Sequence, residues 1–186
     1  MATPRIFLNA SFTYRAEVEI PQLGADGMIV TQGGRFAGYG FYVLHEKPVF
    51  VYNFFDMLRT RWEVTEALTP GQHTLEFDFK YDGLGAGTLA FNNASGIGRG
   101  GTGVLKVDGK EVARASIEHT VPLLWQWDEN FDIGADTGTP VADDYQVPFP
   151  FVGKLTKLTL HIDRPQLSQA DVAKLKAGML HHASDP

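Results

Sequence analysis

The sequence predicts an all-β chain, an antiparallel sandwich or jelly roll, and three observations carry that reading. Apolar and polar residues alternate with a period of two in several runs, the mark of strands with one buried and one wet face. Turn residues punctuate these runs at short intervals. Before the last twenty residues no segment shows the 3.6-residue period of a helix, so the crossovers that a parallel α/β sheet needs are missing.

The first element is Phe12–Ile20, where Phe12, Tyr14, Ala16, Val18 and Ile20 alternate with Thr13, Arg15, Glu17 and Glu19 before Pro21 ends the run. Strand-like runs follow at Gly27–Gln32, Tyr39–His45 and Val49–Phe54, divided by Gly33-Gly34 and by a turn at Glu46-Lys47-Pro48. His73–Tyr81 alternates again, with Leu75, Phe77, Phe79 and Tyr81 on one face. Val104–Val107 and Glu111–Glu118 flank Asp108-Gly109, a pair suited to the positive φ values of a type I′ hairpin turn. Lys157–Asp163 is the last strand. A short helix should then start at the Ser168 cap, with Asp171 at capping-box distance, Leu167 stapled onto Val172, and Val172, Leu175 and Met179 in one apolar stripe. The expected organisation is a sandwich domain over residues 1–165 and a helix and tail over 166–186.

Composition narrows the function. The 186 residues are enough for one large sandwich with a sizeable core. A net charge of −6 with no basic run argues against nucleic acid as a partner, because phosphate backbones repel an acidic chain. The chain has no cysteine, which excludes disulfides, thiolate metal sites and cysteine nucleophiles. No apolar stretch approaches a membrane span or a signal peptide, so a soluble protein is expected and its compartment, cytoplasmic or periplasmic, is left open.

Two loops resist the strand reading. Asp82–Gly101 is glycine-rich, and Trp125–Pro150 is irregular, acidic and aromatic; loops on a rigid scaffold are where function usually sits. Asp128, Asn130 and Asp132 have the 1-3-5 spacing of a calcium loop, but Ile133 and Thr139 stand where an EF-hand needs Gly and Glu. Asp128, Asp132 and Asp136 are therefore candidate ligands for calcium, with a network of turn-capping side chains as the other reading. Trp125 and Trp127 would share a strand face and could stack on a sugar ring, or they could belong to a core or interface. Gly96, Gly98, Gly100 and Gly101 lack the following helix that a phosphate loop requires. Glu76 and Asp78 share a strand face, but Lys80 two residues on suggests ion-paired surface rather than a glycosidase pair. The histidines at 45, 73, 119, 161, 181 and 182 show no metal-site spacing and are read as solvated.

Several motifs together resemble one family. Gly33-Gly34-Arg35-Phe36-Ala37-Gly38-Tyr39, Val51-Tyr52-Asn53-Phe54, Tyr81-Asp82-Gly83 and Val107-Asp108-Gly109-Lys110 are similar to the C-terminal module of long bacterial arylsulfatases. The most specific piece is Asp132-Ile133-Gly134-Ala135-Asp136-Thr137-Gly138-Thr139-Pro140-Val141, followed by Phe151-Val152-Gly153-Lys154-Leu155. The likeness runs in order over residues 10–163; a longer glycine-rich loop after Tyr81 and the C-terminal helix depart from it. It implies a bacterial protein with a sandwich of concanavalin-A or laminin-G type that accompanies a sulfatase-type catalytic domain. The Cys-x-Pro-x-Arg or Ser-x-Pro-x-Arg nucleophile of that catalytic domain is missing. In Ser11-Phe12-Thr13-Tyr14-Arg15, threonine stands where proline belongs.

The expectation is thus a non-catalytic accessory domain whose partner is the catalytic domain or a second copy of itself. The alternative is a carbohydrate-binding, lectin-like module, with or without calcium. An accessory domain should expose a contiguous apolar patch. A lectin should show an aromatic platform beside polar groups. A glycosidase should hold two carboxyl groups about 5–10 Å apart across a groove.

Overall fold

A computed structural model describes residues 10–82, 98–121 and 130–163, together with 169, 170 and 173. The strands are β1 (Phe12–Ile20), β2 (Gly27–Gly33), β3 (Gly38–Leu44), β4 (Lys47–Phe54), β5 (Leu58–Glu63), β6 (Gly71–Tyr81), β7 (Gly98–Val107), β8 (Lys110–Thr120), β9 (Phe131–Ile133) and β10 (Lys154–Ile162). They form two antiparallel sheets: sheet A in the order β10-β1-β6-β7-β8 and sheet B in the order β5-β4-β3-β2-β9. The predicted all-β sandwich is the observed architecture. No helix among the described residues is long and apolar enough to cross a membrane.

The main core lies between the sheets, where the period-two runs place it. Phe12 and Tyr14 of β1, Phe77 of β6 and Leu105 of β7 face Phe41, Phe50 and Trp62 of sheet B. Phe50 and Phe77 stack across the gap with ring centroids 3.5 Å apart and planes 4° from parallel. Trp62 meets Phe77 edge to face at 5.0 Å. Each such pair adds about 0.5–1.5 kcal/mol beyond the area it buries.

Sheet B is buried on both sides, and this explains why β2, β3 and β4 read as nearly continuous apolar runs. Residues 134–150 cross its outer face as a strap. Val141, Ala142 and Tyr145 pack there against Met28, Tyr42, Val49 and Val51 in a second core cluster. Backbone bonds pin both ends of the strap: Gly134 N–H donates to Ile29 at 3.0 Å, and Met28 N–H donates to Phe149 at 3.1 Å. Gly27, at φ +124°, is required at the return, since a Cβ there would lie 2.1 Å from the Pro150 carbonyl oxygen.

The structure departs from the sequence reading in several places. β5 is an additional strand, an edge strand whose outward Arg59, Arg61 and Glu63 hide the inward alternation of Leu58, Thr60 and Trp62. The β3–β4 turn is made by His45 and Glu46, both at positive φ, so Lys47 and Pro48 begin β4 rather than the turn. Gly98, Gly100 and Gly101 belong to β7, so the glycine-rich connection is shorter than expected. Their small size lets β7 pack closely: a Cβ on Gly101 would lie 2.4 Å from the Phe79 ring. The Asp108-Gly109 turn is as predicted, with φ of 50° and 81°. Gln169, Ala170 and Ala173 are helical and exposed. The Ser168 cap, the Leu167 staple and the Val172–Leu175–Met179 stripe lie outside the described residues.

Candidate functional site

Three surfaces could carry function: the acidic strap, the open outer face of sheet A, and the end of the sandwich where β4 meets β5.

In the strap, Asp136 is buried, with 1% of its surface exposed. Its carboxylate accepts from the Tyr145 hydroxyl at 2.5 Å and from the Gly138 N–H at 3.2 Å. Burial, the bond to Asp136 and its charge push the Tyr145 hydroxyl far above its ordinary value, so it stays protonated and donates at any working pH. The same oxygen accepts the Val141 N–H at 3.0 Å. Asp132 accepts the Thr137 hydroxyl at 2.7 Å and the Thr137 N–H at 3.1 Å. Both carboxylates thus cap turns of the strap. Among the described residues no group of three or more His, Asp or Glu side chains is arranged to hold a metal. Asp128, Trp125 and Trp127 lie outside the described residues.

Cations on β5 latch the strap at its far side. Arg59 donates to the Val141 carbonyl at 3.1 Å and to Asp143 at 3.1 Å. Arg61 pairs with Asp144 and donates to the Tyr42 hydroxyl at 2.9 Å, while that hydroxyl donates to Asp144 at 2.9 Å. The described part of this segment packs on sheet B and is held there by these bonds. The available signal was the apolar series Val141, Tyr145, Val147 and Phe149, which needs a surface to cover.

The outer face of sheet A has no such cover among the described residues. Its rows pair Thr13 with Asp78 and Val104, and Arg15 with Glu76 and Lys106. Lys106 binds Glu76 at 2.9 Å and also Asp78, whose other oxygen accepts the Thr13 hydroxyl at 2.7 Å. Burial works to raise the Asp78 carboxyl, but Lys106 and Thr13 outweigh it and hold it below the usual carboxylate range. The expected ion pairing of Glu76 and Asp78 is present, with Lys106 rather than Lys80 as the partner. A carboxyl held low in this way does not suit the acid role of a glycosidase pair. Ser11 of the sulfatase-like spacing accepts the Tyr81 N–H at 3.0 Å, and Arg15 lies 3.7 Å from Glu76.

His73 is not the solvated histidine expected. Its Nδ1 lies 2.7 Å from an Asp108 oxygen and its Nε2 lies 2.8 Å from the Thr69 carbonyl. Burial raises the Asp108 carboxyl, yet the Thr74 N–H and His73 prevail and hold it low. The pair anchors the β7–β8 turn to the start of β6.

At the third surface, Asn53 donates to the carbonyls of Gly34 and Arg35 at 3.0 and 2.8 Å, drawing the β2–β3 turn against the β4–β5 turn. The two turns expose Phe36 (70%), Met57 (74%) and Leu58 (57%). Beside them is a hollow of about 240 Å³ lined by Tyr52, Phe54, Leu58, Ile117 and His119. The Tyr52 hydroxyl accepts the Val121 N–H at 2.7 Å, placing the end of β8 at the same rim. β1 also begins at this end: Ser11 bonds Tyr81, which pairs with Gly101, which pairs with Ile117.

No family model and no curated protein matches the chain. Among solved structures it is similar in fold to the mouse laminin alpha1 chain, domains LG4-5, at 13% identity and a TM-score of 0.52. That match covers 91% of this chain and 41% of the laminin chain, so this chain spans about two fifths of its length. A second similar structure is the Ruminococcus gnavus IT-sialidase CBM40, at 10% identity and a TM-score of 0.49, covering 92% of this chain and 84% of that one.

Proposed function

We propose that this chain is a non-catalytic accessory module that docks onto a catalytic domain of the arylsulfatase type. The observation that carries the reading is the apolar end of the sandwich, where exposed Met57 and Leu58 line a hollow and Phe36 is exposed on the β2–β3 turn. A contiguous exposed apolar patch marks an interaction surface. β1 enters the sandwich at this same end. The resemblance gives the partner its identity and stands on the residues alone. Its segments have architectural roles here: Gly33–Tyr39 makes the β2–β3 turn, and Asp132–Val141 makes β9 and the first half of the strap.

The test has two arms. The purified chain should not turn over a chromogenic aryl sulfate, and turnover that scales with the chain would overturn the non-catalytic reading. Added to an arylsulfatase catalytic domain lacking its own C-terminal module, the chain should raise that domain's Tm. The Met57→Glu, Leu58→Glu double variant should fold and lose the effect. No rise with the unmodified chain would overturn the docking.

A further inference from the structure

The open face of sheet A carries a depression of about 370 Å³ that the docking end does not use. Most of its residues come from four neighbouring strands in register, and Ser11 and Asp163, the latter paired with His161, complete its lining at one end. Asp78 of β6, Val104 of β7 and Arg114 of β8 form one row, and Lys80, Thr102 and Ser116 form the next. Thr13 of β1 closes the side beside Asp78. The floor is Val104, an apolar side chain only 8% exposed on an otherwise polar face.

The polar groups around that floor are positioned before any ligand arrives. Thr13 and Lys106 hold the Asp78 carboxylate, leaving lone pairs for further donors. Glu111 holds the Arg114 guanidinium through two bonds of 2.9 and 2.7 Å, which leaves Nη1 free to donate. The hydroxyls of Thr102 and Ser116 lie 2.9 Å apart, so one proton of the pair faces outward. Lys80 has no ion-pair or hydrogen-bond partner among the described residues.

We propose that this depression binds a saccharide unit bearing one anionic group. A pyranose has an apolar C–H face and a rim of hydroxyls that both donate and accept. Val104 suits the face, Asp78 accepts from hydroxyls, Arg114 donates to them, and the Thr102 hydroxyl can do either. Lys80, without an ion-pair partner among the described residues, takes the anionic substituent, carboxylate or sulfate alike. A shallow, open site with one such contact gives weak binding, in the millimolar range.

The experiment is a heteronuclear NMR titration of the full chain with glucuronic acid, glucose 6-sulfate and glucose. Amide shifts should move at Lys80, Thr102, Val104 and Arg114, and both anionic sugars should bind more tightly than glucose. Lys80→Gln should weaken the anionic sugars about tenfold and leave glucose unchanged, as expected for one charge-assisted bond. Thr102→Val should weaken all three. Both side chains are on the surface, so folding is preserved, and the spectrum of each variant verifies it. Shifts elsewhere, equal binding of all three sugars, or indifference to Lys80→Gln would each overturn the proposal. The Met57→Glu, Leu58→Glu variant should bind the sugars normally, so failure of this site and failure of the docking end are read separately.

Discussion

The Trp62 indole N–H donates to the Gly103 carbonyl at 2.9 Å, a hydrogen bond that joins an edge strand of sheet B to the middle of sheet A. The bond is possible because residue 103 is glycine: a Cβ there would lie 2.6 Å from the Phe77 ring and 2.7 Å from the Trp62 ring. Trp62→Phe should cost about 1–3 kcal/mol, since it leaves a buried carbonyl without its donor. Gly103→Ala should cost a similar ~1–3 kcal/mol by overpacking. Urea denaturation of both variants measures the losses, and unchanged midpoints would show that the two sheets are held by area alone.

The same pair shows what the sequence could and could not reveal. β1 was legible in full because one face of it is wet, so its alternation survives in the sequence. β2 to β4 were found as apolar runs, but the cause of their second apolar face was not, because Val141 meets Gly40 from a hundred residues away. β5 was hidden because an edge strand carrying Arg59 and Arg61 looks polar until Trp62 is seen to have a partner on β7. The acids of the strap are open to two readings in the sequence because Asp caps turns and binds cations with the same oxygens. Only the positions of Tyr145 and Thr137 separate the two uses.

The strap makes its own prediction. Tyr145→Phe removes the donor to buried Asp136 and the acceptor of the Val141 N–H. It should destabilise the protein by about 1–3 kcal/mol. Gly40→Ala should act on the same contact, because its Cβ would lie 2.9 Å from Val141 Cγ2. Hydrogen exchange should then rise at Met28 and Phe149, whose amides close the strap. Protection unchanged at those amides would mean that the strap is held elsewhere.

Acid should weaken the fold through Asp78 and Asp108. Both carboxyls are held below their ordinary value in the folded chain. The stability they contribute is therefore fully present above the unfolded value and is lost as pH falls through the folded one. Tm should stay level with respect to these groups down to about pH 4 and decline below it. Asp78→Asn should lower Tm at neutral pH and make the acid decline shallower. An unchanged acid decline in that variant would remove Asp78 from the account.

Calcium gives the sharpest reading of the strap. A cation bound by the native chain must raise its stability, so excess calcium would lift Tm and EDTA would lower it. The Asp132 and Asp136 carboxylates are already engaged by Thr137, Gly138 and Tyr145. Asp136 is buried, and a cation could reach it only by displacing the Tyr145 hydroxyl, so the expected shift is nil. A rise of several degrees, lost in Asp132→Asn, would mean that the strap rearranges around a cation. Asp136→Asn separates the two cases further. If the carboxylate only caps, the variant loses stability equally with and without calcium. If it ligates, the loss appears only when calcium is present.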